Sequence, residues 1–130
     1  LENLQISFCL VNSRIVLQHI HPKRGIKYIN KLAELVKDYG ILSMQVTIAR
    51  EKSLIKHNDS NFYVFNGDKV EGFLIDKGHD WPIGSMYMFD YSLIEIVLLL
   101  QMHGFTDMHL ETENMGGHIS VHIIACKTNS

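Results

Sequence analysis

Met108-His109-Leu110-Glu111-Thr112-Glu113-Asn114-Met115-Gly116-Gly117-His118-Ile119-Ser120-Val121-His122-Ile123-Ile124 is the stretch on which the fold turns. Apolar and polar residues alternate on both sides of Asn114-Met115-Gly116-Gly117, the period of two half-buried strands joined by a turn. Met108 and Leu110 must share a face with Ile119, Val121 and Ile123, because a slip of one residue sends half of them to water. Two registers satisfy that condition. Both gather His109, Glu111, Glu113, His118, Ser120 and His122 on the opposite face.

Upstream, Ser92-Leu93-Ile94-Glu95 has the form of a capping box. It opens a helix that is apolar nearly all round through Val97, Leu98, Leu99 and Leu100, a pattern that predicts deep burial. His103-Gly104 ends it. Phe62 to Phe65 and Val70 to Ile75 flank Asn66-Gly67, a hairpin signal, and the loop from Asp76 to Met86 holds His79, Asp80, Trp81 and Pro82. Leu42, Met44, Val46 and Ile48 alternate with Ser43, Gln45 and Thr47 as a clean strand. Ile26, Ile29, Leu32, Ala33, Leu35 and Val36 recur at helical spacing, with Gly40 placed to stop that helix. Leu4 to Leu10 and Ile15 to Ile20 read as two further short strands. The expected fold is α+β: one domain over residues 1–130, with a mainly antiparallel sheet of about six or seven strands and two α-helices packed on one face. The expected core is Phe8, Leu10, Leu32, Leu35, Val46, Ile48, Val64, Val97, Leu100, Leu110, Val121 and Ile123.

Composition narrows the function. The chain has 130 residues, 46% of them hydrophobic, and a net charge of −2, so no overall basic field attracts nucleic acid. Its longest apolar run, Leu93 to Leu100, is interrupted by Glu95 and is too short to cross a bilayer. Cys9 and Cys126 match no metal-knuckle spacing and read as free thiols, so a cytoplasmic location is expected. Eight histidines are many for this length, and three of them fall on the polar face of the last hairpin.

That face suits two chemistries. His109, His118, His122 and Glu111 are donors that can hold a divalent metal. His118, His122, Glu111 and Glu113 can alternatively pair imidazole with carboxylate for acid–base work near neutral pH. A solvated, charge-decorated sheet surface accounts for the same residues with no site at all.

Three short motifs resemble known families in part. His118-Ile119-Ser120-Val121 resembles the His-x-Ser-hydrophobe motif of two-histidine phosphodiesterases, which need a second copy that this chain lacks. His19-Ile20-His21 with Tyr28 and Lys31 resembles the metal-binding histidines and nucleophilic tyrosine of rolling-circle replication endonucleases. Here the two pairs are too close together, and Pro22 breaks the strand. His79-Asp80-Trp81-Pro82 resembles the His-x-Trp-Pro stretch of small bacterial S-adenosylmethionine decarboxylases, but the Glu-Ser-His self-cleavage site is missing near Gly72.

With no complete catalytic constellation, the expected function is a small soluble protein-binding domain of the inhibitor or immunity type. It would act through the exposed sheet face and a loop anchored by Trp81, Tyr87 and His79. The alternative is a small enzyme that uses the hairpin patch, metal-dependent or acid–base, on a small molecule or nucleotide. No cofactor is expected beyond a possible divalent metal. The expected partner is another protein or a second copy of the chain, not nucleic acid or a membrane.

Overall fold

The computed structural model of the chain describes residues 6–51, 73–76 and 86–128. Strand β1 (Phe8–Ser13) is followed by a short 3₁₀ turn (Leu17–His19), helix α1 (Pro22–Leu35) and the long strand β2 (Val36–Arg50). Strands β3 (Phe73–Asp76) and β4 (Met86–Phe89) precede helix α2 (Leu93–Met102) and the final hairpin β5 (Phe105–Met115) and β6 (His118–Lys127).

Among the described residues the main sheet has four strands in the order β1-β2-β6-β5, and β3 pairs with β4 in a separate two-stranded ribbon. β1 runs parallel to β2, while β2–β6 and β5–β6 are antiparallel. The expected antiparallel sheet of six or seven strands is therefore wrong. The reason is α1: it carries the chain from the end of β1 back to the start of β2, so the two strands point the same way.

Local chemistry explains the elements. Pro22 occupies the first turn of α1, where its missing N–H costs nothing, and His21 caps the helix by accepting the Lys23 N–H on Nδ1 at 3.2 Å. The helix thus begins at the proline that the pattern read as a break. Its buried positions, Pro22, Gly25, Ile29 and Ala33, form one helical stripe. Lys127 of β6, 6% exposed, donates to the carbonyls of Ala33 and Val36 at 3.2 and 3.0 Å and so satisfies the end of α1. The helix ends at Leu35, before Gly40, and the chain passes straight into β2. Ile15 to Ile20 is not a strand: Ile15 takes a φ of 57°, and the 3₁₀ turn follows.

In α2, Ser92 Oγ accepts the Glu95 N–H at 3.3 Å, as the capping-box motif requires. Gly104, with φ of 90°, follows its end. The helix is not buried all round. Ile96 and Leu100 are inside, whereas Ile94, Leu98 and Met102 form an exposed apolar stripe, 75%, 56% and 87% accessible.

Both helices pack on one face of the sheet. There Leu42, Met44 and Val46 of β2 sit opposite Ala125, Ile123 and Val121 of β6. Leu17, Ile29, Ala33, Tyr91, Ile96, Leu100 and Phe105 complete this core. Of the expected core, Val46, Leu100, Val121 and Ile123 are buried, and Leu32 and Ile48 pack against it. Leu35 and Val97 are half-buried. Phe8, Leu10 and Leu110 are exposed instead, since β1 and β5 are the edge strands. Val64 and the Asn66-Gly67 hairpin lie outside the described residues. Among the described residues no helix is long and apolar enough to cross a membrane.

Candidate functional site

In open sheets with parallel strands, ligands lie beyond the carboxyl ends of those strands, where the connecting loops leave a crevice. The parallel pair here ends at Ser13 and Arg50. Just past Ser13, Ile15 is held in the left-handed region, which is rare for a β-branched residue. Its N–H donates to Oε1 of Gln45, a buried residue of β2, at 3.2 Å. That bond ties the loop down onto the neighbouring strand.

The 3₁₀ turn and the first two turns of α1 then wall a cleft of about 450 Å³, lined by His19, Ile20, His21, Arg24, Tyr28 and Phe89. A second cleft of about 280 Å³ continues along α1, lined by Arg24, Lys27, Tyr28 and Lys31. Arg24 and Tyr28 line both.

The cleft rests on a rigid base. Tyr91 is buried and donates its hydroxyl to the Ile20 carbonyl at 2.6 Å. Its ring lies so close to α1 that a Cβ on Gly25 would strike the hydroxyl, which is why glycine stands at this helical position. Burial pushes the Tyr91 phenol well above the ordinary tyrosine range, so it remains a hydroxyl donor. The Tyr91 N–H donates to the Thr47 carbonyl at 2.7 Å, which joins this segment to β2. Phe89 meets the His21 ring edge-on, with centroids 5.3 Å apart. Beside it, Asp90 accepts from Nε of Arg50 with both oxygens, at 2.9 and 3.1 Å, closing the end of β2. Chemically, the cleft offers an aromatic wall, two imidazoles and a cationic rim.

The sequence-predicted site lies elsewhere. Glu111 sits opposite His122, Glu113 opposite Ser120 and His109 opposite Ile124, while His118 pairs with Met115. The six polar residues therefore do occupy one face, turned away from the helices. They do not form a metal centre: among the described residues no group of three His, Cys, Asp or Glu side chains is placed to hold an ion. His122 instead shares a 2.8 Å hydrogen bond with Ser43 of β2. Ser120 is buried, and Glu111 and Glu113 are exposed on the edge strand. His79 and Trp81 lie outside the described residues, as does the side chain of Tyr87 in β4.

His19, His21 and Tyr28, noted in the sequence for a different chemistry, do come together, but around the cleft and in company with Arg24 and Phe89. The available signal was Pro22, a helix-start residue soon after a strand, which marks a strand–loop–helix crossover.

No protein-family model matches the chain, and no curated protein matches it. Solved structures do. A SAM-dependent methyltransferase from Methanosarcina mazei superposes with a TM-score of 0.68 at 16% identity, over 98% of this chain and 64% of that one. The 1,6-didemethyltoxoflavin-N1-methyltransferase of Burkholderia thailandensis, solved with 1,6-didemethyltoxoflavin and S-adenosylhomocysteine bound, gives 0.57 at 15% identity, over 98% of this chain and 47% of that one. An S-adenosylmethionine-dependent methyltransferase from Clostridium acetobutylicum gives 0.53 at 10% identity, over 95% and 60%. The chain thus spans less than two thirds of the length of each of these proteins. Across almost its whole length, its fold is similar to part of the fold of each of these proteins.

Proposed function

We propose that the chain belongs to a methyltransferase that moves a methyl group from S-adenosylmethionine to a small molecule, and that the cleft beside α1 is on the acceptor side. The observation that carries this reading is the position of the cleft within a fold similar to that of methyltransferases. Solved methyltransferases share the fold, and the cleft opens where a parallel β1-α1-β2 unit presents the carboxyl ends of its strands. The inhibitor or immunity reading and the metal-dependent hairpin are set aside on the same grounds.

The side chains that line the cleft do not fit the cofactor itself. S-adenosylmethionine carries a sulfonium, which the Arg24 and Lys27 side chains would repel. A carboxylate for its ribose hydroxyls is also lacking, because Asp90 is committed to Arg50 and Glu51 is hydrogen-bonded to Asn114. No cofactor contact and no step of transfer is therefore assigned to these side chains. Their part is to bind and orient the acceptor: the rings of Tyr28 and Phe89 provide an apolar wall, and Tyr91 fixes the loop that positions His19 and His21. Two free cysteines, Cys9 and Cys126, accord with a cytoplasmic enzyme.

Equilibrium dialysis of the chain against radiolabelled S-adenosylmethionine tests the reading. The expected result is saturable retention at one site per chain, displaced by S-adenosylhomocysteine. No retention at millimolar cofactor would contradict it.

A further inference from the structure

Charge is distributed unevenly in this chain. Net charge is −2 overall, yet α1 carries Lys23, Arg24, Lys27 and Lys31 against the single acid Glu34. Lys31 is shared with Glu34 at 3.3 Å. Among the described residues, no carboxylate lies within ion-pair distance of Arg24 or Lys27. These cations do not point at random, since Arg24, Lys27 and Lys31 line the two clefts, which meet at Arg24 and Tyr28 to form one trench. Their repulsion costs stability, and a protein close to neutral gains nothing in solubility from concentrating them on one helix.

The trench is also aromatic. Tyr28 stands at the junction of the two clefts, and Phe89 and Ile20 line the inner one. Phe89 is held edge-on by His21, so it offers a fixed apolar surface. A guanidinium beside such a surface is the arrangement that recognises a flat ring bearing an anionic group: the ring packs on Phe89 and Tyr28, and Arg24 takes two oxygens at once. The helix backbone is not needed for this. The first N–H groups of α1 are already used, that of Lys23 by His21 Nδ1 and those of Arg24 and Gly25 by the His21 carbonyl.

We propose that the trench binds the methyl acceptor as a small planar aromatic anion, with Arg24 as the residue that selects for its carboxylate or phosphate. This rests on the methyltransferase reading above and adds the class of acceptor to it. A nucleic acid is the less suited ligand, because the cationic surface is confined to one helix of an otherwise acidic chain.

The test titrates the full chain with three probes of similar size, benzoate, phenyl phosphate and benzyl alcohol, followed by calorimetry and by the ¹H–¹⁵N signals of α1. The expected result is that at least one anion binds, that benzyl alcohol binds about tenfold more weakly or not at all, and that Arg24→Gln weakens the anion by about tenfold. Arg24→Lys should restore part of the loss, because it returns the charge without the fork. Arg24 is exposed, so neither variant endangers folding. Binding of benzoate alone or of phenyl phosphate alone supports the proposal and says which anion the acceptor carries. Equal binding of benzyl alcohol, or an unchanged affinity in Arg24→Gln, overturns it. Cofactor retention with no anion binding overturns the acceptor class and leaves the methyltransferase reading standing. Anion binding with no cofactor retention supports the trench and sinks that reading.

Discussion

Gly25 and Tyr91 form a tight joint between α1 and the segment that follows β4. In an ordinary helix interior, Gly→Ala is favourable by about 0.5–1 kcal/mol. Here the added methyl would strike the Tyr91 hydroxyl and crowd its ring, so Gly25→Ala should instead cost about 1–3 kcal/mol in urea denaturation. Tyr91→Phe should lose about 1 kcal/mol from the hydrogen bond to Ile20 and should soften the Gly25→Ala penalty, since the two residues touch. The same tyrosine makes a prediction about pH. Its folded-state pKa lies above that of the unfolded chain, so its contribution is intact below about pH 10 and is lost as the pH rises beyond that. The wild type should therefore weaken in strong alkali more than Tyr91→Phe does, as read from urea midpoints; parallel curves would contradict this. None of it was legible in the sequence. A glycine inside a helical pattern looks like a defect until its neighbour across 66 positions is known.

Among the elements, those set by local chemistry were readable and those set by distant pairing were not. The β5–β6 hairpin follows from alternation, and Gly116 and Gly117, with φ of 62° and 97°, make the turn that joins it. The start of α2 follows from Ser92 and Glu95. The burial of α2 did not follow, because an all-apolar helix shows no preferred side, and only packing into the shared core decides that Ile96 and Leu100 go in. The parallel pairing of β1 with β2 was hidden because periodicity reports a strand but not its partner or its direction. The end of α1 is similar: its cap is Lys127, which arrives from the other end of the chain. Lys127→Met should cost about 1–3 kcal/mol by taking the ammonium donor from two buried carbonyls, of which that of Ala33 keeps the Val36 N–H. If Lys127 were only an aliphatic spacer against Phe105, methionine would be nearly neutral, and thermal denaturation separates the two.

At the scale of the whole molecule, the candidate site moved from the hairpin to the carboxyl edge of the parallel pair. The hairpin face was legible as a face: His109, Glu111, Glu113, His118, Ser120 and His122 share it. Its reading as a metal site failed, because sharing a face is not convergence on a point. The cleft was not legible, since it is assembled from the 3₁₀ turn, α1 and Phe89, and Phe89 lies 61 positions beyond Tyr28. Outward of β1, the described residues supply no further strand, and Ile6, Phe8 and Leu10 are exposed there. Each of the three methyltransferases that superpose on it above is longer than this chain.

Chemical-shift mapping of S-adenosylhomocysteine on the ¹⁵N-labelled chain tests the central claim most directly. Saturable shifts are expected at the carboxyl edge of the parallel pair, in the signals of Ser13, Arg14 and Ile15, with those of Glu111, Glu113, His118 and His122 unmoved. Shifts confined to the β5–β6 face, or none at millimolar ligand, would contradict it.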